Sequence, residues 1–173
     1  MLITLAVFTL LFFAGRGVLK TLYPQGYSDF VETYASQNNI EENLLYAVIK
    51  TESSFNPEAV SYAGAMGLTQ ILPETFTWLQ TKTGEKLSTE ELFTPEVSIK
   101  YGAFFYGMLM EKYGDVETAA AAYHAGMGSV AKWLGDERYS ADGKTLDRVP
   151  YADTQSYIEK ITAAKIVYDR LYG

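Results

Sequence analysis

The chain has 173 residues, of which 48% are hydrophobic and 20% charged, and it carries a formal net charge of −7 and no cysteine. That length supports one sizeable hydrophobic core, and the negative charge argues against a nucleic-acid partner, because binding to a phosphate backbone requires clustered Lys and Arg. We therefore expect one domain. Without cysteine there are no disulfides or thiolate sites, and a single histidine, His124, gives zinc too few ligands. We expect no metal or other cofactor.

The N-terminal segment differs from the rest of the chain. Residues 2–14, LITLAVFTLLFFA, form an apolar run interrupted only by two threonines, which approaches the roughly 20 residues needed to cross a bilayer. No Lys or Arg precedes the run and FFAGRG is a poor cleavage site, so we favour an uncleaved signal anchor over a cleaved signal peptide for residues 1–20. Arg16 and Lys20 beyond the run oppose the positive-inside tendency and leave the topology open. In either case we expect the chain to be exported.

After a connector at 21–26, residues 27–173 alternate helical patterns with strong stop signals. Pro73, Pro95 and the glycines that follow each periodic segment mark helix starts and ends. We predict helices over 27–37, 42–53, 73–82, 95–113, 116–126, 129–135 and 153–171. No segment alternates as a strand does, and residues 136–150 are predicted to form a loop. The predicted fold class is all-α.

Three capping predictions accompany these helices. Ser88 with Glu91 fits a capping box, Thr94 before Pro95 fits an N-cap, and Asp115 is placed to cap the alanine-rich helix.

One carboxylate falls on a face predicted to be buried. Leu45, Val48, Ile49 and Glu52 have the i, i+3, i+4, i+7 spacing of a single helical stripe. Burial disfavours the charged form of a carboxyl group, raises its pKa and lets it carry a proton near neutral pH, as a general acid must. The alternative is that Glu52 lies at a frayed helix end and turns to solvent. The glycine-rich and proline-rich segment that follows, SSFNPEAVSYAGAMGLTQILPET, favours the first interpretation, because such segments usually mark close approach of chain to chain or of chain to ligand.

Three blocks of sequence resemble one known family. ESSFNPEAVSYAGAMGLTQILPET, residues 52–75, resembles the E-S-x-F-N-P … S-x-x-G-A-x-G-L-M-Q-I-x-P-x-T signature of the soluble-lytic-transglycosylase-like muramidases, which are Slt-type and similar to glycoside hydrolase family 23. AAYHAG resembles their A-Y-N-A-G, and PYADTQSYIEKI resembles their P-[FY]-x-E-T-x-x-Y-V. The blocks occur in family order over residues 52–161.

The resemblance implies a lysozyme-like helical domain over residues 27–173 that acts on bacterial peptidoglycan. It implies cleavage of the β-1,4 bond between N-acetylmuramic acid and N-acetylglucosamine, with Glu52 as the sole catalytic acid and base. The muramic acid's own 6-hydroxyl would be the nucleophile, and the product would end in 1,6-anhydromuramic acid. The expected location is the cell envelope, with the catalytic domain outside the cytoplasm, either anchored or secreted.

The resemblance also assigns substrate-binding roles. Ser61 is expected near the catalytic carboxyl, Gln70 in the sugar groove, Tyr123 at the catalytic centre and Tyr157 beside Asp153 on one face of the last helix. A turn-forming role for Ser61 and an exposed helical position for Gln70 are the alternatives.

Three residues depart from the family pattern. Thr69 stands where methionine is usual and is expected to shrink an apolar wall of the groove. His124 replaces asparagine, which alters the reach of the side chain and introduces a titratable group, unless the ring simply packs beside the alanine helix. Asp153 replaces glutamate and is shorter by one methylene.

Two other functions remain open from the sequence. A goose-type lysozyme would use water and need a second carboxylate, for which Asp153 is the candidate. A non-catalytic peptidoglycan-binding scaffold would keep the groove and lose the acid, whereas Glu52 is present. The expected partners are peptidoglycan glycan strands, the membrane through the N-terminal segment and an envelope assembly machinery.

Overall fold

A computed structural model describes residues 14–173, and the apolar run at residues 2–13 lies outside this part. Helix α1 is described over residues 14–22. Seven helices follow: α2 Ser28–Gln37, α3 Glu42–Ser53, α4 Pro73–Thr83, α5 Pro95–Tyr113, α6 Val116–Ala125, α7 Met127–Leu134 and α8 Ala152–Tyr172, with a 3₁₀ helix at Thr89–Phe93 before α5. Within residues 14–173 extended pairing is limited to isolated bridges of Val60 with Met66 and of Met66 with Ile71. The all-α prediction is confirmed for this part of the chain.

The core forms around α5 and the α3–α8 pair. Helix α5 contacts α2, α4 and α6, while α8 packs along α3 and α6. The alanines at 119–122 of α6 are fully buried, and their small side chains let α6 lie close to the helices that it contacts. A Cβ at Gly107 of α5 would come within 2.8 Å of the Asn38 carbonyl oxygen, so glycine allows α5 to pass the end of α2. This packing brings the C-terminal end of α3 beside the N-terminal part of α8.

The helix starts test the capping predictions. Asp115 caps α6 as predicted, since its carboxylate accepts a hydrogen bond of 2.8 Å from the Thr118 N–H. The Ser88–Glu91 capping box is wrong: Ser88 precedes a 3₁₀ helix and makes no side-chain capping bond. Thr94 does precede α5, but its hydroxyl donates to Glu91 at 3.4 Å instead of capping. The 3₁₀ helix runs directly into α5, so the Glu91 carboxylate accepts its hydrogen bond from Thr94, three residues later in the chain.

The segment between α3 and α4 folds back over the helix end. Helix α3 ends at Ser53 because Ser54 and Phe55 adopt left-handed backbone conformations, with φ of 50° and 66°. The Ser53 hydroxyl donates to the Leu68 carbonyl at 2.9 Å and thereby ties the helix to this segment. Gly67 has a φ of 76°, and a Cβ there would collide with the Leu92 carbonyl oxygen. Only glycine permits this close approach of the segment to the 3₁₀ helix.

Helix α1 contacts the C-terminal end of α8. The Arg16 guanidinium donates to the Leu171 carbonyl at 2.5 Å, and the Lys20 ammonium lies 5.0 Å from the centre of the Tyr172 ring. Both cations are favourable near a helix C-terminus. Three apolar side chains of the described part of α1 are largely exposed: Val18, Leu19 and Leu22. Within residues 14–173, no helix has the length and hydrophobicity to span a bilayer.

Candidate active site

Glu52 lies in the last turn of α3, at the inner wall of a pocket. Leu45, Val48 and Ile49 of the predicted stripe are fully buried, and Glu52 continues that face. The pocket has a volume of about 380 Å³ and is lined by the segment between α3 and α4 together with α5 and α6. The alternative that Glu52 turns out into bulk solvent is therefore wrong, since the carboxyl is partly buried and faces this pocket.

The Glu52 carboxyl receives a short hydrogen bond from α8. The Tyr157 hydroxyl donates to Glu52 Oε1 at 2.6 Å, across the contact between α3 and α8. Burial raises the pKa of Glu52 from 4.5 to about 7, while the Tyr157 hydrogen bond acts in the opposite direction. A carboxyl group with this pKa can donate and accept a proton near neutral pH.

Tyr123 of α6 lines the same pocket as Glu52 and packs against a further tyrosine, Tyr106. The Tyr123 hydroxyl donates to the Thr69 carbonyl at 2.7 Å, and the Tyr123 ring lies 5.4 Å from the ring of Tyr106 on α5. Burial, and secondly the charge of Glu52, hold the pKa values of Tyr123 and Tyr157 well above that of an ordinary phenol. These hydroxyls therefore stay protonated, and that of Tyr157 donates to Glu52 while that of Tyr123 donates to the Thr69 backbone.

Ser61 and Gln70 both line the Glu52 pocket, and both also hold its wall together. The Ser61 hydroxyl accepts the Ala65 N–H at 2.9 Å. The Gln70 side-chain amide donates to the carbonyls of Ala59 and Gly67 at 3.0 and 2.9 Å. Gln70 lies outside any helix, with a φ of 50°, so the alternative of an exposed helical glutamine is wrong. Their predicted contacts with substrate remain predictions.

His124 lies at the pocket mouth against Tyr157. The two rings stack with centres 4.6 Å apart and an angle of 19° between their planes. His124 Nε2 lies 3.7 Å from Asp153 Oδ2, and the Asp153 side chain is 76% exposed. Asp153 and Tyr157 are one turn apart in α8 and both lie against His124, in agreement with the predicted shared face, although Asp153 is largely exposed. The two departures from the family pattern thus lie next to each other.

The interpretation of Thr69 as part of a groove wall is wrong. Thr69 is fully buried, and its hydroxyl donates to the Ser98 carbonyl at 2.8 Å while its N–H donates to the Ser98 hydroxyl at 3.1 Å. A side chain at Gly102 of α5 would collide with Thr69, so glycine there makes room for it. A threonine thus satisfies its hydroxyl in the core at the position where the family has an apolar side chain.

Several pocket residues were not predicted from the sequence. Tyr62 is fully exposed at the rim, Phe105 contributes from α5, and Ile71 with Leu72 forms an apolar wall. The motif gave no signal for Tyr62 or Phe105, because neither stands at a position that the resemblance assigns. Within residues 14–173, no three His, Asp or Glu side chains are grouped closely enough to hold a metal ion.

Two other surface depressions differ chemically from this pocket. One of about 530 Å³ lies between the end of α2 and α5, and its single carboxylate, Glu111, is exposed. The other, of about 590 Å³, includes Glu85, whose hydrogen bonds from Lys100 and Tyr101 lower its pKa. Lys100 and Tyr101 thus favour the charged form of Glu85, whereas burial raises the pKa of Glu52 in the smaller pocket.

Comparison with known proteins identifies the family. Residues 29–146 match the family described as the transglycosylase SLT domain, which covers more than half of the chain. The chain belongs to the transglycosylase SLT domain family. Glu52, its pocket wall and Tyr123 all lie within the matched part, whereas Tyr157 lies beyond it.

Relatives of this SLT domain chain include enzymes from several bacteria. It is 30% identical over 159 residues to the soluble lytic murein transglycosylase of Escherichia coli K12, covering 90% of this chain and 25% of the relative. It is 30% identical over 168 residues to the membrane-bound lytic murein transglycosylase C of Yersinia pestis, covering 83% of this chain and 47% of the relative. The chain therefore spans between a quarter and a half of the length of these relatives.

Solved structures show the same fold. The 70 kDa soluble lytic transglycosylase of Escherichia coli superposes with a TM-score of 0.79 at 27% identity, over 90% of this chain and 26% of that one. An inactive mutant of the lytic transglycosylase Slt from Pseudomonas aeruginosa gives a TM-score of 0.76 at 27% identity, over 88% and 25%. A complex of the 70 kDa enzyme with bulgecin A gives 0.80 at 27% identity, over 90% and 26%.

Proposed function

We propose that this SLT domain protein is a peptidoglycan lytic transglycosylase. It cleaves the β-1,4 bond between N-acetylmuramic acid and N-acetylglucosamine and forms 1,6-anhydromuramic acid. The observation that carries the proposal is the single carboxyl group of the pocket, Glu52, whose pKa of about 7 suits proton transfer in both directions. The names of the relatives, soluble and membrane-bound lytic murein transglycosylases, support this substrate class.

The reaction needs one acid used twice. Protonated Glu52 donates its proton to the glycosidic oxygen, the bond from that oxygen to the anomeric carbon breaks, and N-acetylglucosamine leaves with a new hydroxyl. The Glu52 carboxylate then accepts the proton of the muramic acid 6-hydroxyl while O6 attacks the anomeric carbon. The ring closes, Glu52 regains its proton and no water is consumed. Because the nucleophile belongs to the substrate, its effective concentration is high.

Tyr157 supports the intermediate state of this cycle. Between the two proton transfers Glu52 is a carboxylate in a partly desolvated position, where an uncompensated charge is costly. The 2.6 Å bond from the Tyr157 hydroxyl partly compensates for this cost. The His124 ring, which lines the pocket, stacks on the ring of Tyr157.

The alternative of hydrolysis requires a second carboxylate that activates water. Asp153, the candidate, does not line the pocket; it is largely exposed and lies beside His124. A non-catalytic scaffold would have no reason to keep a buried acid with a raised pKa, which costs folding free energy at alkaline pH.

Mass analysis of the products tests the activity directly. Purified peptidoglycan treated with the protein should give muropeptides whose masses sum to that of the starting strand, with non-reducing 1,6-anhydro ends. Cleavage in ¹⁸O-labelled water should leave no label in the new termini. Products that are heavier by one water and reducible would establish a hydrolase instead. No cleavage by a folded protein would favour the scaffold. Inhibition by bulgecin A, which is bound by the related 70 kDa enzyme, provides a second readout.

We further propose that the protein acts in the bacterial cell envelope, with the N-terminal segment as a membrane anchor and with envelope assembly proteins as partners. The apolar run at residues 2–14 and the three exposed apolar side chains of α1 support the anchor. A variant that begins at Tyr23 should remain folded and active, while the full chain fractionates with membranes at full mass. A shortened soluble form released by the exporting cell would show a cleaved signal peptide.

A further inference from the structure

Tyr62, at the rim of the Glu52 pocket, has no role in the reaction described above. Its side chain is fully exposed, yet it lines the same pocket as Glu52. Single apolar side chains are common on protein surfaces and need no explanation. Val60 is such a side chain, since it is 60% exposed in the same segment and lies outside the pocket lining. Tyr62 differs from Val60 because its exposed ring borders the pocket that contains the acid.

Hydrogen bonds fix the backbone that carries Tyr62. Ser61 and Gly64 close a tight turn, in which the Gly64 N–H donates to the Ser61 carbonyl at 2.9 Å. The Ser61 N–H donates to the Ala65 carbonyl at 2.9 Å, and the Ala65 N–H donates to the Ser61 hydroxyl at 2.9 Å. Tyr62 is the second residue of this turn, so its Cα is held in place while its ring is exposed. A ligand that binds to the ring therefore has little backbone to order.

The other aromatic rings that line the pocket pack against neighbouring rings. The ring centres of Phe105 and Tyr123 are 5.0 Å apart, and the His124 ring stacks on that of Tyr157. Phe105 is only 7% exposed. The faces of these rings are therefore partly covered, whereas both faces of the Tyr62 ring are open to solvent.

We propose that the Tyr62 ring stacks on a sugar ring of the glycan strand bound beside Glu52 and thereby holds the strand at the rim of the pocket. A pyranose ring has C–H groups on its faces and hydroxyls at its edge, so a flat aromatic ring covers its face while the tyrosine hydroxyl stays in solvent. The stacked sugar is bound equally before and during bond cleavage, and uniform binding of this kind lowers KM without raising kcat. This inference rests on the proposed function for the identity of the ligand.

The test measures binding in the Glu52→Gln background, in which the strand is not consumed. The probe is soluble peptidoglycan strands freed of their peptides, and isothermal titration gives Kd. Tyr62→Ala removes the ring, Tyr62→Leu keeps an apolar side chain without a flat face, and Tyr62→Phe keeps the ring. Val60→Ala is the matched control, because it shortens an exposed apolar side chain outside the pocket lining. All four variants should unfold close to the temperature of the Glu52→Gln protein, because both side chains are largely exposed.

Tyr62→Ala and Tyr62→Leu should weaken binding about three- to tenfold, while Tyr62→Phe and Val60→Ala stay within about twofold of the Glu52→Gln protein. With Glu52 restored, Tyr62→Ala should raise KM by a similar factor and change kcat less than KM.

Undiminished binding by Tyr62→Ala would overturn the proposal, as would a loss seen only with strands that still carry peptides, since the ring would then contact the peptide. Undiminished binding by Tyr62→Leu would replace ring stacking by a general apolar contact, and absence of binding by the Glu52→Gln protein would remove the sugar ligand. If the strands bind through Tyr62 but the parent does not cleave them, the proposed function fails and this inference stands.

Discussion

Tyrosine side chains lie at both ends of the contact between α3 and α8, but they have different roles at the two ends. At one end, Tyr46 of α3 stacks on Tyr168 of α8 with ring centres 5.4 Å apart, and the Tyr168 hydroxyl donates to the Pro24 carbonyl at 2.9 Å. At the other end, Tyr157 of α8 donates to Glu52 of α3. The helices are therefore antiparallel, and each end has tyrosines in the interface.

The difference lies in the acceptor. A tyrosine hydroxyl bonded to a backbone carbonyl satisfies a neutral group and fixes the chain leading into α2. A tyrosine hydroxyl bonded to a desolvated carboxyl shifts the balance between two protonation states of that group. Burial of aromatic residues supplies stability at both ends, but proton chemistry arises only where a carboxyl group has been placed among them.

The largest effect is expected for Glu52→Gln. The amide keeps the size and hydrogen-bonding capacity of the side chain but cannot donate a proton to the glycosidic oxygen. Cleavage should fall by about 10²–10⁴-fold or more, the range attributed to general acid–base catalysis. Muropeptide release measured by mass spectrometry checks this, with thermal unfolding as the control for folding. Substantial residual cleavage would remove Glu52 from the mechanism.

Tyr157→Phe and Tyr168→Phe form a matched pair on α8. Loss of the Tyr157 hydroxyl should raise the pKa of Glu52 further, because its hydrogen bond lowers that pKa, and should reduce kcat about 10- to 100-fold, as expected for a bond to a charged group. Loss of the Tyr168 hydroxyl should cost about 1 kcal/mol of unfolding free energy and leave kcat unchanged. Equal kinetic effects of the two substitutions would contradict the contrast between the two ends.

The pH dependence of stability provides a third test. The folded-state pKa of Glu52, about 7, lies above its ordinary value of 4.5, so the folded protein binds this proton more tightly than the unfolded chain does. Ionisation of Glu52 therefore weakens the fold as pH rises from about 4.5 through about 7. Glu52→Gln should gain about 1–3 kcal/mol relative to the parent between pH 5 and pH 8 in urea unfolding. Glu58→Gln, at an exposed carboxylate in the next segment, should show no such gain.

The smallest effects are expected for His124→Asn and Asp153→Asn. His124 touches Tyr157 through ring stacking and Asp153 lies at 3.7 Å, outside the pocket lining, so each change should alter kcat/KM by less than about tenfold. The products should still end in 1,6-anhydro groups. A loss in His124→Asn as large as that in Glu52→Gln would make the histidine catalytic, and a loss of reducing ends in Asp153→Asn would reveal a hydrolase.

The sequence alone predicted helices α2 to α8, because proline and glycine signals with 3.6-residue periodicity are local properties of the chain. It also placed Glu52 on a buried face, since Leu45, Val48 and Ile49 lie on the same stripe. The predicted capping box at Ser88 is wrong, because the Glu91 carboxylate instead accepts a hydrogen bond from the Thr94 hydroxyl at the start of α5. The N-terminal anchor stays a prediction, as residues 2–13 lie outside the described part.

Only the tertiary structure decided what surrounds the acid. The bond between Tyr157 and Glu52 spans 105 residues of sequence, and the burial of Thr69 against Ser98 depends on the approach of α5 that Gly102 permits. The hydrophobic periodicity of one helix indicates which of its faces is buried. It does not indicate which residue of another helix that face contacts. Motifs indicate residue identity, whereas the pKa of Glu52 results from desolvation and one hydrogen bond, both of which exist only after α3, α5, α6 and α8 have packed together.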